Sequence, residues 1–178
     1  MGTKSGRTDL DLILTGFPTN VTEFDGETLL REDIKLVLPS DHPLARKTRL
    51  TGEDLAGAQI LTTGEGHHLT RLVEQVSVRF GAEVLRDYQG TSLDALRLMV
   101  VMGMGLSFLP ALYIDSEINA DSALEVREIE GHSIARMIGM AWRKNSPSRV
   151  FYRKLAEDLR EVLRTEFGSA IKIVDRKV

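Results

Sequence analysis

Apolar positions along the chain switch between two periods, and the switches mark out the elements. Residues 9–14 read as a short strand with Leu10, Leu12, Ile13 and Leu14 apolar, stopped by Gly16, Pro18 and Asn20. A second strand, residues 34–38, lies within 28–39 and ends at Pro39 and the Ser40-Asp41-His42-Pro43 turn. Two short apolar runs follow, and of these residues 58–61 are read as the next strand. Between His68 and Phe80 the apolar set is Leu69, Leu72, Val73, Val76 and Phe80, a helical spacing with a polar opposite face. Gly81 supplies the C-terminal stop. Residues 84–89 alternate as a strand does. Thr91-Ser92-Leu93-Asp94 resembles a capping box with Thr91 as the cap and Asp94 where Glu is usual, and the helix it opens runs to Met102. Gly103 and Gly105 bracket Met104 ahead of a buried strand, residues 106–109, that ends at Pro110. Residues 124–129 and 137–142 are further strands. Ser146-Pro147 starts the last helix, whose apolar stripe is Phe151, Leu155, Leu159, Val162, Leu163 and Phe167. Strands alternating with helices predict an α/β fold with a mainly parallel sheet.

Composition narrows the class. A chain of 178 residues accommodates one good core or two small lobes sharing a chain crossing. Its 42% hydrophobic and 28% charged residues are those of a globular protein. A net charge of −3, from 26 acidic against 23 basic residues, argues against an extended nucleic-acid surface on this segment. Any contact with DNA is expected from another segment. The absence of cysteine excludes disulfides, thiolate catalysis and Cys-built zinc or iron–sulfur sites in this chain. No apolar run reaches bilayer length, and the opening Met-Gly-Thr-Lys-Ser-Gly-Arg is not followed by a signal-peptide core. A cytoplasmic address with no membrane partner is the expectation.

The chemistry-bearing residues are few. Of the four histidines, His67 and His68 directly precede a helix, where backbone N–H groups and the helix dipole favour an anion or polar ligand. A ligand-facing role and simple helix-start polarity both fit that position. Adjacent residues do not share a helix face, so no metal site is expected there. Gly103-Met104-Gly105 resembles half of a dinucleotide fingerprint, but it closes a helix and opens a strand, the reverse of the functional order. A C-cap and tight turn account for it, and no cofactor is expected. Ser92, Ser107 and Ser133 stand outside any Gly-x-Ser-x-Gly elbow, so no enzyme activity is expected. Met99, Met102 and Met104 fit core filling at a helix end, with oxidation sensing as a second reading.

Three passages, in order, resemble one family. Leu36-Val37-Leu38-Pro39-Ser40-Asp41-His42-Pro43-Leu44-Ala45 looks like the strand that runs into P-x-x-H-P-L-A in LysR-type transcription regulators. Asp54-Leu55-Ala56-Gly57 resembles the D-L-x-G that follows in them. Thr91 to Leu96, then Val100, Gly103, Gly105, Leu106, Leu109 and Pro110, resemble their V-x-x-G-x-G-I-x-x-L-P stretch. The likeness covers residues 9–174. Within the family the chain is similar to the OxyR-type peroxide sensors, whose loop G-H-C-L-R-D-Q stands where Gly66-His67-His68-Leu69-Thr70-Arg71-Leu72 stands here. The reactive-cysteine position holds His68, and the resolving position, nine residues on, holds Ser77. A disulfide switch between those positions is chemically impossible in this chain.

The resemblance implies a two-lobed, periplasmic-binding-protein-like α/β fold whose first lobe is truncated on its N-terminal side. Residues 1–8 would be a leader or tag, 9–31 with 136–178 a remnant of regulatory lobe I, and 32–135 regulatory lobe II. It implies a non-enzymatic, effector-sensing domain that binds a small polar ligand, or responds to oxidative stress, between the lobes. His67, His68, Thr70, Thr91 and Pro110 are the expected effector-binding residues. The expected partners are the small-molecule effector, further copies of the chain as dimer or tetramer, and DNA through an N-terminal winged helix-turn-helix outside this segment. Under-covered apolar faces at residues 10–14 and on the last helix would favour self-association. A stand-alone solute-binding protein of the same fold is the alternative reading.

Overall fold

A computed structural model describes residues 10–17, 22–64, 68–118, 123–168 and 170–177. In chain order the elements are β1 (Leu12–Phe17), β2 (Phe24–Pro39), β3 (Gln59–Thr63), α1 (His68–Phe80), β4 (Glu83–Gly90), α2 (Leu93–Val101), β5 (Leu106–Pro110), α3 (Ala111–Glu117), β6 (Leu124–Arg127), β7 (Ala135–Arg143), α4 (Arg149–Phe167) and β8 (Ile171–Lys177). They form two compact units. One comprises Met1–Arg31, Met137–Gly168 and Lys172–Val178; the other comprises Glu32–Arg136 and Ser169–Ile171.

In the second unit β3 runs parallel to β4 and to β5, with Ile60 opposite both Val84 and Leu106. The C-terminal half of β2 is antiparallel to β5 on one side and β6 on the other. Side chains alternate across a strand, so each strand feeds two cores. Ile34, Leu36, Leu38, Ile60, Leu106 and Phe108 pack with Leu69, Val73, Val76 and Phe80 of α1. Val37, Leu61 and Leu109 pack with Leu96 and Val100 of α2 and Ile114 of α3. The helices thus cover both faces, which is why these strands are apolar at nearly every position.

In the other unit β1 is antiparallel to β7, with Leu12 opposite Trp142 and Phe17 opposite Met137. Both β7 and β8 neighbour β2. Leu29, Met140 and Trp142 pack with Tyr152 and Ala156 of α4, the Trp142 and Tyr152 rings 5.7 Å apart. Arg160 is buried in the same helix. Its Nη2 donates to the Glu27 carboxylate at 2.8 Å and to the Thr28 carbonyl at 2.7 Å, while Nε donates to the Val174 carbonyl at 3.2 Å.

The architecture is α/β, but several sequence expectations need correction. The sheet is mixed: β1–β7, β2–β5 and β2–β6 are antiparallel, and the parallel ladders described are those of β3. The first strand runs through Gly16 to Phe17, and Asp9, Pro18 and Asn20 lie outside the described residues. The second spans sixteen residues and carries buried Glu27 and Glu32, whose carboxylates are ion-paired and so tolerate burial. The cap of α2 is Ser92, not Thr91: Ser92 is extended and its Oγ accepts the Ala95 amide at 3.1 Å. The Asp94 carboxylate accepts the Tyr113 hydroxyl at 2.7 Å. Pro147 precedes α4, which starts at Arg149, and the buried face of that helix is Tyr152, Ala156 and Arg160. Of the expected stripe, Leu155, Leu159 and Leu163 pack against that core, and Phe151, Val162 and Phe167 are exposed. Helix α3 and strand β8 were not expected.

Candidate functional site

Because β3, β4 and β5 are mutually parallel in direction, their C-terminal ends emerge on one edge of the second unit. That edge carries Thr63-Gly64, Gly90-Thr91 and Leu109-Pro110. Ligands of open α/β sheets sit outside the carboxyl ends of the strands, where helix N-termini and free loop amides converge. The antiparallel β2 brings its upstream part to the same edge: Ile34 faces Pro110, and Glu32 lies two residues before it.

Helix α1 begins at this edge with His68. Its Nδ1 is buried and has no hydrogen-bond partner among the described residues. Burial, then the positive charges of Arg71 and Arg136, hold the imidazole pKa below its ordinary value of 6.5, so the ring is neutral at physiological pH. Thr62, near the end of β3, carries a second buried atom with no hydrogen-bond partner among the described residues, its Oγ1. A buried polar atom left unmatched costs about 1–3 kcal/mol, so the two atoms mark this edge as one where polar groups lack partners.

Thr70 is buried as well, but its hydroxyl is occupied. It lies 2.8 Å from Thr63 Oγ1 and 3.1 Å from the carbonyl oxygens of Thr63 and Gly64. That cluster fixes the turn from β3 into α1 and so fixes where His68 stands.

Glu32 and Arg136 complete the edge. Glu32 is fully buried; its Oε1 accepts the Leu112 amide at 3.0 Å and its Oε2 accepts Arg136 Nε at 2.7 Å. Leu112 lies in the first turn of α3, just past Pro110. The Arg136 side chain is 23% exposed. These two residues were missed in the sequence because they are 104 positions apart and each sits among ordinary charged neighbours.

Of the expected site residues, the structure brings His68, Thr70, Thr91 and Pro110 to one edge. The Thr91 side chain is exposed and Pro110 is buried as the residue that caps α3. His67 lies outside the described residues. Among the described residues no cluster of three or more His, Cys, Asp or Glu could hold a metal ion. A cavity of about 650 Å³ in the same unit lies beside Asp33, Lys35, Arg49 and residues 127–134. Its Lys35–Glu128 and Arg49–Glu130 pairs already neutralise one another, at 2.9 and 3.1 Å. The unmatched polar atoms at the strand edge make the stronger candidate.

The family described as LysR substrate binding domain matches residues 6–167. The DNA-binding transcriptional dual regulator OxyR of Escherichia coli K12 is 31% identical over 163 residues, covering 92% of this chain and 53% of the relative. The chain thus spans about half the length of the curated relatives it matches. The reduced OxyR regulatory domain of Pseudomonas aeruginosa superposes with a TM-score of 0.71 at 29% identity, over 85% of this chain and 73% of that one. The regulatory domain of Synechocystis CcmR in complex with 2-PG has the same fold, with a TM-score of 0.76 at 22% identity over 89% and 76% of the two chains.

Proposed function

The chain belongs to the LysR substrate binding domain family, and from that premise we propose that it is the effector-sensing regulatory part of a LysR-type transcription regulator. The observation that carries the reading is the buried Nδ1 of His68, without a partner among the described residues, at the carboxyl edge of β3, β4 and β5 and in the field of two guanidinium groups. A neutral imidazole beside cations is suited to accept or donate a hydrogen bond to a small polar or anionic effector. The effector is gripped by His68 and by His67 before it, with Thr91 and Pro110 along the edge and Thr70 holding the turn. The two compact units act as the two regulatory lobes. The effector shifts their population, and an oligomer of the full-length protein transmits the shift to an N-terminal DNA-binding module.

The relatives named for hydrogen peroxide do not lend their signal to this chain. A thiol switch needs cysteine, and the sequence has none. The complex of the Synechocystis regulator with 2-PG supports a small-molecule effector on this fold instead. The chain is read as a binding domain without catalytic activity.

The test is a ligand screen by thermal shift on the chain and on His68→Ala. A hit whose stabilisation disappears in the variant, with the ligand-free melting temperature unchanged, supports the assignment. A hit that stabilises both proteins equally removes His68 from the site.

A further inference from the structure

The pair formed by Glu32 and Arg136 occupies a special place in the chain. Glu32 is the first residue of the second unit and Arg136 the last residue of its main segment, so the pair joins the two ends of that segment. A fully buried carboxylate is costly unless every oxygen is used. Here both are used, one by the Leu112 amide and one by Arg136 Nε. The contact to Nε is informative. It takes one edge of the guanidinium and leaves Nη1 and Nη2 without a partner among the described residues, on a side chain that keeps partial exposure. Arg136 is also one of the two cations whose field reaches His68, the other being Arg71. Through Glu32, which precedes Ile34 opposite Pro110 and accepts the Leu112 amide, Arg136 is held at the strand edge from which α1 starts.

We propose that Glu32 is a positioning residue for an anion site: anchored on the Leu112 amide, its carboxylate orients Arg136 so that the two free Nη groups receive a carboxylate or phosphoryl group of the effector. This rests on the effector-site reading above and names the ligand class that site takes. The planar fork of arginine matches two oxygens of such an anion at once, which a point charge cannot do. Fixing the fork in advance removes part of the ordering cost of binding. The link from Glu32 to Leu112 also ties the anion to the first turn of α3, next to Pro110.

The experiment titrates the 178-residue chain with inorganic phosphate in chloride buffer and follows the Arg136 Nε–H, the Leu112 amide and the His68 ring by NMR. Saturable shifts at Arg136 and His68 are expected, lost in Arg136→Ala. Glu32→Gln keeps an acceptor for the Leu112 amide but removes the ion pair. It should weaken phosphate binding about tenfold, in keeping with the loss of a charge-assisted hydrogen bond. Glu32→Asp, which keeps the charge, should recover most of the affinity. If Glu32→Gln does not fold, Glu32→Asp and Arg136→Lys carry the test: the first is expected to bind within about threefold of the parent and the second much more weakly, because lysine lacks the fork. Equal binding by the parent and Glu32→Gln, or by the parent and Arg136→Lys, overturns the positioning role and leaves the effector site standing. Absence of any saturable shift at Arg136 and His68 in the parent overturns the anion site. A neutral ligand that shifts His68 alone would then still be accommodated by the effector reading.

Discussion

The imidazole of His68 links folding to proton concentration in a direction that the structure fixes. Burial and two neighbouring guanidinium groups favour the neutral ring, so its pKa in the folded chain lies below the 6.5 of an unperturbed histidine. Between those two values the unfolded chain binds a proton that the folded chain refuses. Stability from this residue is therefore fully present above about pH 6.5 and falls as the pH drops below it. Urea denaturation at pH 7.5 and 5.5 should show a loss of stability in the parent chain that is smaller in His68→Gln, which has nothing to protonate. A larger acid loss in the variant would mean that the ring is charged in the folded state. An anionic effector changes the balance, because its charge offsets the two guanidinium groups. Bound protein should show a higher His68 pKa and a flatter acid limb.

Two elements give predictions that depend on backbone geometry. His68 and Ser77 are the first and tenth residues of α1, so their Cα atoms lie about 13 Å apart along the helix axis. A disulfide needs Cα atoms within about 7 Å. The double variant His68→Cys, Ser77→Cys should therefore stay a dithiol while α1 is folded and oxidise only as fast as the helix opens. Thiol titration after diamide, in buffer and in mild urea, reads this, and rapid disulfide formation in buffer would show that α1 unwinds readily. In the first unit, Gly26 and Gly139 leave room for the Phe17 ring. A Cβ on Gly139 would collide with the Glu27 carbonyl oxygen and lie 2.7 Å from that ring. Gly139→Ala should cost about 1–3 kcal/mol, seen as a lower urea midpoint, since backbone cannot step aside as a flexible side chain would.

The same elements show what a single sequence conveys. Helix α1 was legible to the residue because its apolar face is unbroken and Gly81, at φ 67°, closes it. Strand β2 was read short because Glu27 and Glu32 look like surface residues until their partners, Arg160 and Arg136, are known. The face of α4 was legible in part: Leu155, Leu159 and Leu163 pack against the core as the pattern predicts, whereas Phe151, Val162 and Phe167 are exposed and the buried Arg160 carries no apolar signal. The edge that holds His68 was legible as a helix start, whereas Arg136 was not. Long-range pairing placed it there, and periodicity carries no information about that.

For the whole molecule, binding appears as stability. A ligand that binds only the folded chain adds RT ln(1 + [L]/Kd), about 2.7 kcal/mol at a hundredfold excess over Kd. For a chain of this size that is an upward shift in Tm of roughly 5–10 °C. Small carboxylates and phosphate esters should produce such a shift in the parent chain and not in Arg136→Ala. Hydrogen peroxide at micromolar concentration should produce none, because without cysteine there is no thiolate for it to oxidise. At much higher concentration oxidation should begin at Met102, the most exposed methionine among the described residues at 75%, and its modification should not change Tm. The comparison separates two ways in which a member of this family could sense its surroundings. A shift with an anion that depends on Arg136 makes this chain a ligand sensor. A shift with micromolar peroxide alone would require a redox centre built from methionine, and the strand edge carrying His68 would then be scaffold.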